Sequence, residues 1–488
     1  MSRLCLTAVA LFVCVGSLAA APQPNVIIIY ADDLGWGDLG CYGQKVFKTP
    51  NIDRLAEEGA RLTNFTSCCP LCAPSRVGLQ TGRYPFRTGL VDNPAPDDLP
   101  ARNELGLPTT EKTLGTILRA AGYRTSCIGK WHLGHLPQFH PLRHGYDEYF
   151  GILYSNDMKP VNLYTGEGLY RSLVFQTRLT QTYTERALDF IERNRSRPFF
   201  LYLAHAMPHK PLAASEKFMH KSPGGLYGDV LAELDWSVGE VMAKLKALDL
   251  DNNTLVFFSS DNGPWYGGST GGLRGMKGQT WEGGLRVPLL ARWPGKIPPG
   301  HENDEPASII DLFTTTLTAA GVPLPSDRVI DGKDIMPLLT SDAKSPHEAI
   351  YAMRSDKLCM VRSGNWKLHL PASGPREQKI MSPDERWVDP RAPDGVRILA
   401  PREQYHPSRF PGVATGVDTP GTLLINLSTD PAEQKNAADA NPEVVERLQA
   451  LADKLLAEMP ASKDKPKPSA TKPTDAKPSD APPVEKNP

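Results

Sequence analysis

This 488-residue chain carries no excess of charge of either sign: 54 Lys and Arg stand against 55 Asp and Glu. A net charge of -1 sets up no global field, so no nucleic-acid partner is expected and any basic site must be local. No internal repeat is visible. A long apolar run is missing too. Leu4 to Val15, which follows Arg3, is short for a membrane span, and none is expected. It leads into Ser17-Leu18-Ala19-Ala20-Ala21, small residues of the kind that signal peptidase accepts. Residues 1–21 therefore read as a cleaved signal, with a secreted or periplasmic mature chain. Cysteine is thin. Eight occur, and Cys5 and Cys14 lie inside that segment. Cys41, Cys68, Cys69, Cys72, Cys127 and Cys359 are too few for a disulfide scaffold at this length. The Cys68-Cys69-x-x-Cys72 cluster lacks the second ligand pair that a zinc site needs.

What is present is punctuated α/β sequence. Asn25–Ala31 (NVIIIYA) is a continuous β-branched run, the pattern of a strand buried on both faces. Tyr123–Ile128, Phe199–Ala204 and Leu255–Ser259 repeat it, and helices are expected at Thr113–Ala121, Thr180–Arg193, Tyr227–Leu248 and Ile309–Ala319. In the third of these, Leu231, Leu234, Val238, Val241 and Leu245 make one apolar stripe. Strands alternating with helices predict a large, mostly parallel sheet flanked by helices over residues 22–340. A smaller α+β unit with an antiparallel sheet is expected over 341–460. It carries strands at Ile350–Met353, Leu358–Arg362, Trp366–Leu370 and Leu423–Asn426, and a closing helix at Pro442–Met459. Residues 461–488 are Lys, Pro, Ser, Asp and Thr with almost no apolar content, a composition that does not order itself.

The chemistry-bearing residues follow strands. Asp32-Asp33 close the first, where open α/β sheets bind ligands; alone they fit either a solvated turn or a cation site. Asp261-Asn262 close another, and two such oxygen pairs favour a divalent ion. Gly129-Lys130-Trp131-His132 ends a third, and Lys130 and His132, two apart, can point the same way from an extended segment. His205 and His209 follow the fourth. In Cys72-Ala73-Pro74-Ser75-Arg76 the thiol stands one turn ahead of what reads as a helix start, Pro74 suits a first helical turn, and Arg76 is a planar fork suited to an oxyanion.

Cys72-x-Pro74-Ser75-Arg76, continuing to Thr81-Gly82-Arg83, resembles the signature of the type I, formylglycine-dependent sulfatases, of the arylsulfatase A kind. Gln80 departs from it, since an apolar residue is usual there. The resemblance runs from about Asn25 to the Asp331-Gly332 turn, and Leu424 to Pro431 is similar to the family's C-terminal strand and turn. It implies an alkaline-phosphatase-like fold and a sulfuric ester hydrolase acting on an aryl sulfate or a sulfated carbohydrate. A maturation enzyme would convert Cys72 to 3-oxoalanine (formylglycine). Asp32, Asp33, Asp261, Asn262 and the modified Cys72 would hold one Ca²⁺, with Mg²⁺ as the alternative. Lys130 and Lys277 would bind sulfate together with Arg76. Ser155 would lie near the substrate, and His209, in His-Lys-Pro, would protonate the leaving alcohol. One hydroxyl of the aldehyde hydrate would attack sulfur with Asp261 taking its proton; the other, deprotonated by His132, would expel sulfate. Two other readings remain open at this level. One is a phosphate or phosphonate ester hydrolase of the same superfamily; the other is a secreted, non-catalytic calcium- or glycan-binding protein.

Overall fold

The computed structural model describes residues 23–96, 100–265, 267–370 and 422–460. The expected leader at 1–21, the Pro-rich stretch 371–419, expected from the sequence to be a loop, and the tail from Ala461 lie outside the described residues. The frame is a ten-stranded sheet. Its middle is five parallel strands in the order Thr254–Ser260, Asn25–Ala31, Phe199–Ala204, Arg124–Lys130 and Glu148–Ile152. Ile28 pairs with Tyr202 on one side and Phe257 on the other. Every residue of Asn25–Ala31 is buried, and its alternation divides the core. Val26, Ile28 and Tyr30 pack on one face, Ile27, Ile29 and Ala31 on the other. Each fully buried aliphatic side chain contributes about 1.5–3 kcal/mol, so this strand pins the whole sheet.

Helices Pro50–Glu57, Leu179–Arg193 and Gly225–Ala247 cover the second face. Against the first lie helices Cys72–Thr81, Leu114–Ala120 and Asp311–Ala319. The same apolar cluster runs on into a four-stranded antiparallel sheet of Ile350–Arg354, Lys357–Ser363, Trp366–His369 and Leu423–Asn426. Helix Pro442–Glu458 packs on that sheet through Leu448, Leu451 and Leu455. The α/β architecture with a mostly parallel centre and a small antiparallel sheet is as the sequence implies.

The edges are not. Leu289–Arg292 runs antiparallel beside Thr254–Ser260, followed by Ala60–Leu62 and His301–Asn303. At the other end, where no strand was expected, lies the hairpin Leu163–Thr165 and Gly168–Arg171. All of these strands have only three or four residues, too few for a run or alternation to announce them, and Gly168–Arg171 is exposed throughout.

Close packing governs the strand that delivers Lys130. Gly129 has φ +110°, and a Cβ there would stand 1.8 Å from the Ala204 carbonyl oxygen of the neighbouring strand. Gly129→Ala is expected to cost about 2 kcal/mol or more, through a backbone conformation closed to L side chains and a backbone clash. A urea midpoint equal to wild type would show that the two strand ends separate freely.

Candidate active site

The carboxyl ends of the central parallel strands converge on the start of helix Cys72–Thr81. The helix begins at Cys72 itself, two residues earlier than Pro74 would suggest. Its first intrahelical bond is Ser75 N–H to the Leu71 carbonyl, at 3.1 Å, so Pro74 sits where a missing N–H loses nothing. Ala73 N–H is met instead by Asn93 Oδ1 at 3.0 Å. Ser75 takes part in a hydroxyl pair with Ser67 at 2.9 Å. Gln80, the departure from the motif, is buried and accepts a hydrogen bond from Tyr146 at 2.8 Å.

Asp32, Asp33 and Asp261 are each at most 2% exposed. Three carboxylates out of water require opposite charge close by. Arg76 supplies it to Asp261 through Nε at 3.1 Å and a terminal nitrogen at 2.9 Å, and lies 3.6 Å from Asp32. Its other terminal nitrogen donates to the Lys130 carbonyl at 3.0 Å and to Tyr202 at 3.2 Å. Lys130 Nζ pairs with Asp32 and donates to Ser155 Oγ at 3.0 Å. Lys277 Nζ reaches Asp33 at 2.7 Å. Asp33 also accepts from Asn262 at 2.8 Å, and its own N–H donates to Asp261 Oδ1 at 3.0 Å. Both Asp261 oxygens are thus engaged; burial and the neighbouring Asp32 push its carboxyl up to about 6. Asp33 itself has φ +62°, a left-handed conformation that turns it back under the helix start.

The residues present fit a hard cation. Asp32, Asp33, Cys72 and His209 each place one ligand atom within 4.8 Å of the others. Asp32 Oδ1 and Asn262 Oδ1, both buried, have no hydrogen-bond partner among the described residues. Orphaned oxygen acceptors beside paired carboxylates suit an oxygen-seeking divalent ion. The thiol of Cys72 is 1% exposed, with Sγ 4.0 Å from Asp33. Burial pushes it well up against the pull of Lys130 and Lys277, so an unaltered Cys72 would be a poor nucleophile at neutral pH.

The two histidines differ in which nitrogen is available. His132 Nε2 lies 3.2 Å from the Pro94 carbonyl, which only accepts, so Nε2 carries the hydrogen. Nδ1 is left as a buried lone pair with no hydrogen-bond partner among the described residues. Burial, then the charges of Lys130, Arg76 and Lys277, hold this ring well below the ordinary histidine value. His132 has φ +57°, so a turn brings it beside Lys130; strand alternation does not. In His209 the arrangement is reversed: Nδ1 donates to the Lys210 carbonyl at 2.7 Å, while Nε2 faces Asp33 at 3.7 Å. His205 stands apart. It bonds Ser237 at 3.2 Å, and burial lowers it to about 3, a packed histidine.

His132, Ser155, His209 and Lys277 line a cleft of about 480 Å³, joined by Arg102 and Trp265. Arg76 does not line it; its guanidinium holds the carboxylates from behind. Asn93 and Pro94 escaped the sequence reading because an amide and a backbone carbonyl in an irregular loop carry no pattern.

The sulfatase family model matches residues 24–322. The chain belongs to the sulfatase family. This sulfatase is 43% identical over 392 residues to N-acetylgalactosamine-6-sulfatase of Canis lupus familiaris, covering 72% of each chain. It is 38% identical over 432 residues to human steryl-sulfatase, covering 70% of this chain and 74% of that one. A solved structure from work on the metabolism of multiple glycosaminoglycans by Bacteroides thetaiotaomicron superposes with a TM-score of 0.74 at 27% identity, over 89% of this chain and 99% of the other. The alkaline-phosphatase-like fold and the assignment as a sulfatase enzyme follow. Among the described residues no helix is long and apolar enough to cross a membrane.

Arg76→Met is expected to destabilise the chelator-treated sulfatase by about 3–5 kcal/mol, because Asp261 is left buried without its countercharge. Urea unfolding in excess EDTA measures this; a loss under about 1 kcal/mol, the worth of a surface pair, would mean the carboxylates find other cations.

Proposed function

We propose that this sulfatase removes sulfate from a sulfated carbohydrate, with Cys72 matured to formylglycine and one divalent ion, calcium before magnesium. The reading is carried by the convergence of Lys130, Lys277, His132 and His209 on the Cys72 end of its helix, under one cleft. Asp32, Asp33, Asp261, Asn262 and residue 72 would hold the ion. When present, the aldehyde hydrate supplies a nucleophile with two hydroxyls on one carbon, and the ion supplies Lewis-acid stabilisation of a sulfate oxygen.

The chain's own residues then divide the work. Lys130 and Lys277 offer ammonium hydrogens to the sulfate oxygens, with Ser155 orienting Lys130. His209 holds its Nδ1 hydrogen on the Lys210 carbonyl, which leaves Nε2 to carry a proton to the departing alcohol oxygen. His132, with its Nε2 hydrogen on Pro94, presents Nδ1 as the base that takes a proton during sulfate release. Arg76 is a positioning residue, holding Asp261 and Asp32 in place. Asn93, Arg102, Asp157 and Lys159 set hydrogen-bonding and charged groups in a cleft wall that also holds Leu71, Met158 and Trp265, a mixture that suits the hydroxyls and ring faces of a sugar. The N-acetylgalactosamine-6-sulfatase relative supports a 6-sulfated hexosamine as the first glycan to try.

Three measurements test this reading. Peptide mass and aldehyde-reactive labelling at residue 72 are expected to reveal formylglycine, and Cys72→Ala and Cys72→Ser to lose turnover; full turnover with an intact thiol would sink the mechanism. His209→Ala is expected to slow esters of weakly acidic alcohols about 10²–10⁴-fold while sparing esters of acidic phenols, whereas His132→Ala slows both alike. Equal sensitivity of both variants to leaving-group acidity would reject the division. Faster turnover of a steroid sulfate than of 6-sulfated N-acetylgalactosamine oligosaccharides would overturn the substrate class.

A further inference from the structure

Lys277 lies on an irregular stretch between two necks. Its N–H donates to the Pro264 carbonyl at 3.0 Å, and the following Gly278 N–H to the Pro70 carbonyl at 2.9 Å, just ahead of Cys72. The stretch closes where Gly283 N–H meets the Arg274 carbonyl at 2.6 Å. Arg274 and Glu282 thus sit at the base of the loop that presents the lysine. Neither touches the cleft.

Both are held by one residue from the far end of the chain. Glu433, fully buried, accepts the Glu282 N–H on one carboxylate oxygen. Its other oxygen takes Lys367 Nζ and His369 Nε2, each at 2.9 Å. Its backbone carbonyl accepts from Arg274 at 2.9 Å. Lys367 also pairs with the Glu282 carboxylate at 2.9 Å, which Arg286 meets from the other side through Nε at 2.7 Å. The Arg274 guanidinium lies 3.4 Å over the Trp281 ring, and Trp281 packs on His369 with centroids 4.6 Å apart. Glu433 holds a left-handed backbone, φ +54°, unusual for a residue with a side chain and retained only where surroundings over-determine it. It stands just beyond the Asp430-Pro431 turn that follows the last strand of the small sheet. A core needs no such cluster: apolar side chains would fill the space with no desolvation cost. What the charges add is direction, since each fixes the neck at a defined angle.

The geometry points to Glu433 as a positioning residue for Lys277, through which the C-terminal sheet sets where the cleft meets sulfate. This rests on Lys277 being a sulfate-binding group. The C-terminal unit is then a working part of the site, although none of its described residues lines the cleft.

A double-mutant cycle on the full, matured protein tests it, read by kcat and KM for a sulfate ester, by competitive inhibition with inorganic sulfate, and by melting temperature. Glu433→Gln is expected to raise KM and weaken sulfate inhibition by about tenfold, the effect of one charge-assisted contact. In the Lys277→Ala background, Glu433→Gln should add little, because the group it positions is gone. His369→Gln, which removes a single donor to Glu433, is expected to give a smaller, likewise non-additive change, and stands in if Glu433→Gln fails to fold. Fully additive losses, or lowered melting temperature with KM and sulfate inhibition unchanged, overturn the proposal and leave the cluster a structural staple. If Lys277→Ala alone leaves KM and sulfate inhibition unchanged, the reading of Lys277 as a sulfate-binding group falls instead, and this inference with it.

Discussion

Three buried carboxylates at neighbouring strand ends are the constraint on which the rest of the structure depends. Asp32, Asp33 and Asp261 repel one another in a region with almost no water to screen them. Their countercharges come from far along the chain. Lys130 lies 98 residues from Asp32, Arg76 lies 185 from Asp261, and Lys277 lies 244 from Asp33. No local segment can assemble such pairs. The site therefore exists only when the five parallel strands are in register, and sheet and site form together.

The same constraint shapes the chemistry. Cations placed to neutralise the acids also surround His132, and with burial they keep its ring neutral and its Nδ1 bare. Burial, against the pull of Lys130 and Lys277, leaves a thiol at residue 72 unable to ionise readily, so an unaltered Cys72 is a poor nucleophile. Backbone strain occurs at the same place: Asp33 and His132 both hold positive φ. Strain of this kind persists where packing on all sides over-determines it, as it does at the ends of fully buried strands.

The small antiparallel sheet meets the large one through apolar packing on the first face and through a buried ionic cluster at Glu282, Lys367 and Glu433. The apolar part holds the two together without demanding one angle. The ionic part is directional, and it ends at the base of the Lys277 loop. Arg76 and Glu433 are both wholly buried and outside the cleft wall: Arg76 holds the carboxylates behind it, and Glu433 meets the base of the Lys277 loop.

The central strands were legible in the sequence because burial on both faces leaves a continuous β-branched run, and the acids and lysine that end them mark the ligand-binding edge. Cys72 and its helix were legible through a short local motif. The edge strands were not, because three or four residues are too short a stretch to show a period. Sequence placed Lys130 and His132 together for a reason the structure changes: a left-handed turn at His132 does what alternation was expected to do. It ranked His205 and His209 only by analogy, whereas the Ser237 contact of one and the cleft position of the other separate them. Which donors Arg76 turns to the carboxylates, which nitrogen His132 holds on the Pro94 carbonyl, and that Glu433 reaches the Lys277 loop were decided by tertiary structure alone. Strand and helix identity depend on neighbours in sequence; these depend on partners tens to hundreds of residues away, whose meeting only the folded sheet brings about.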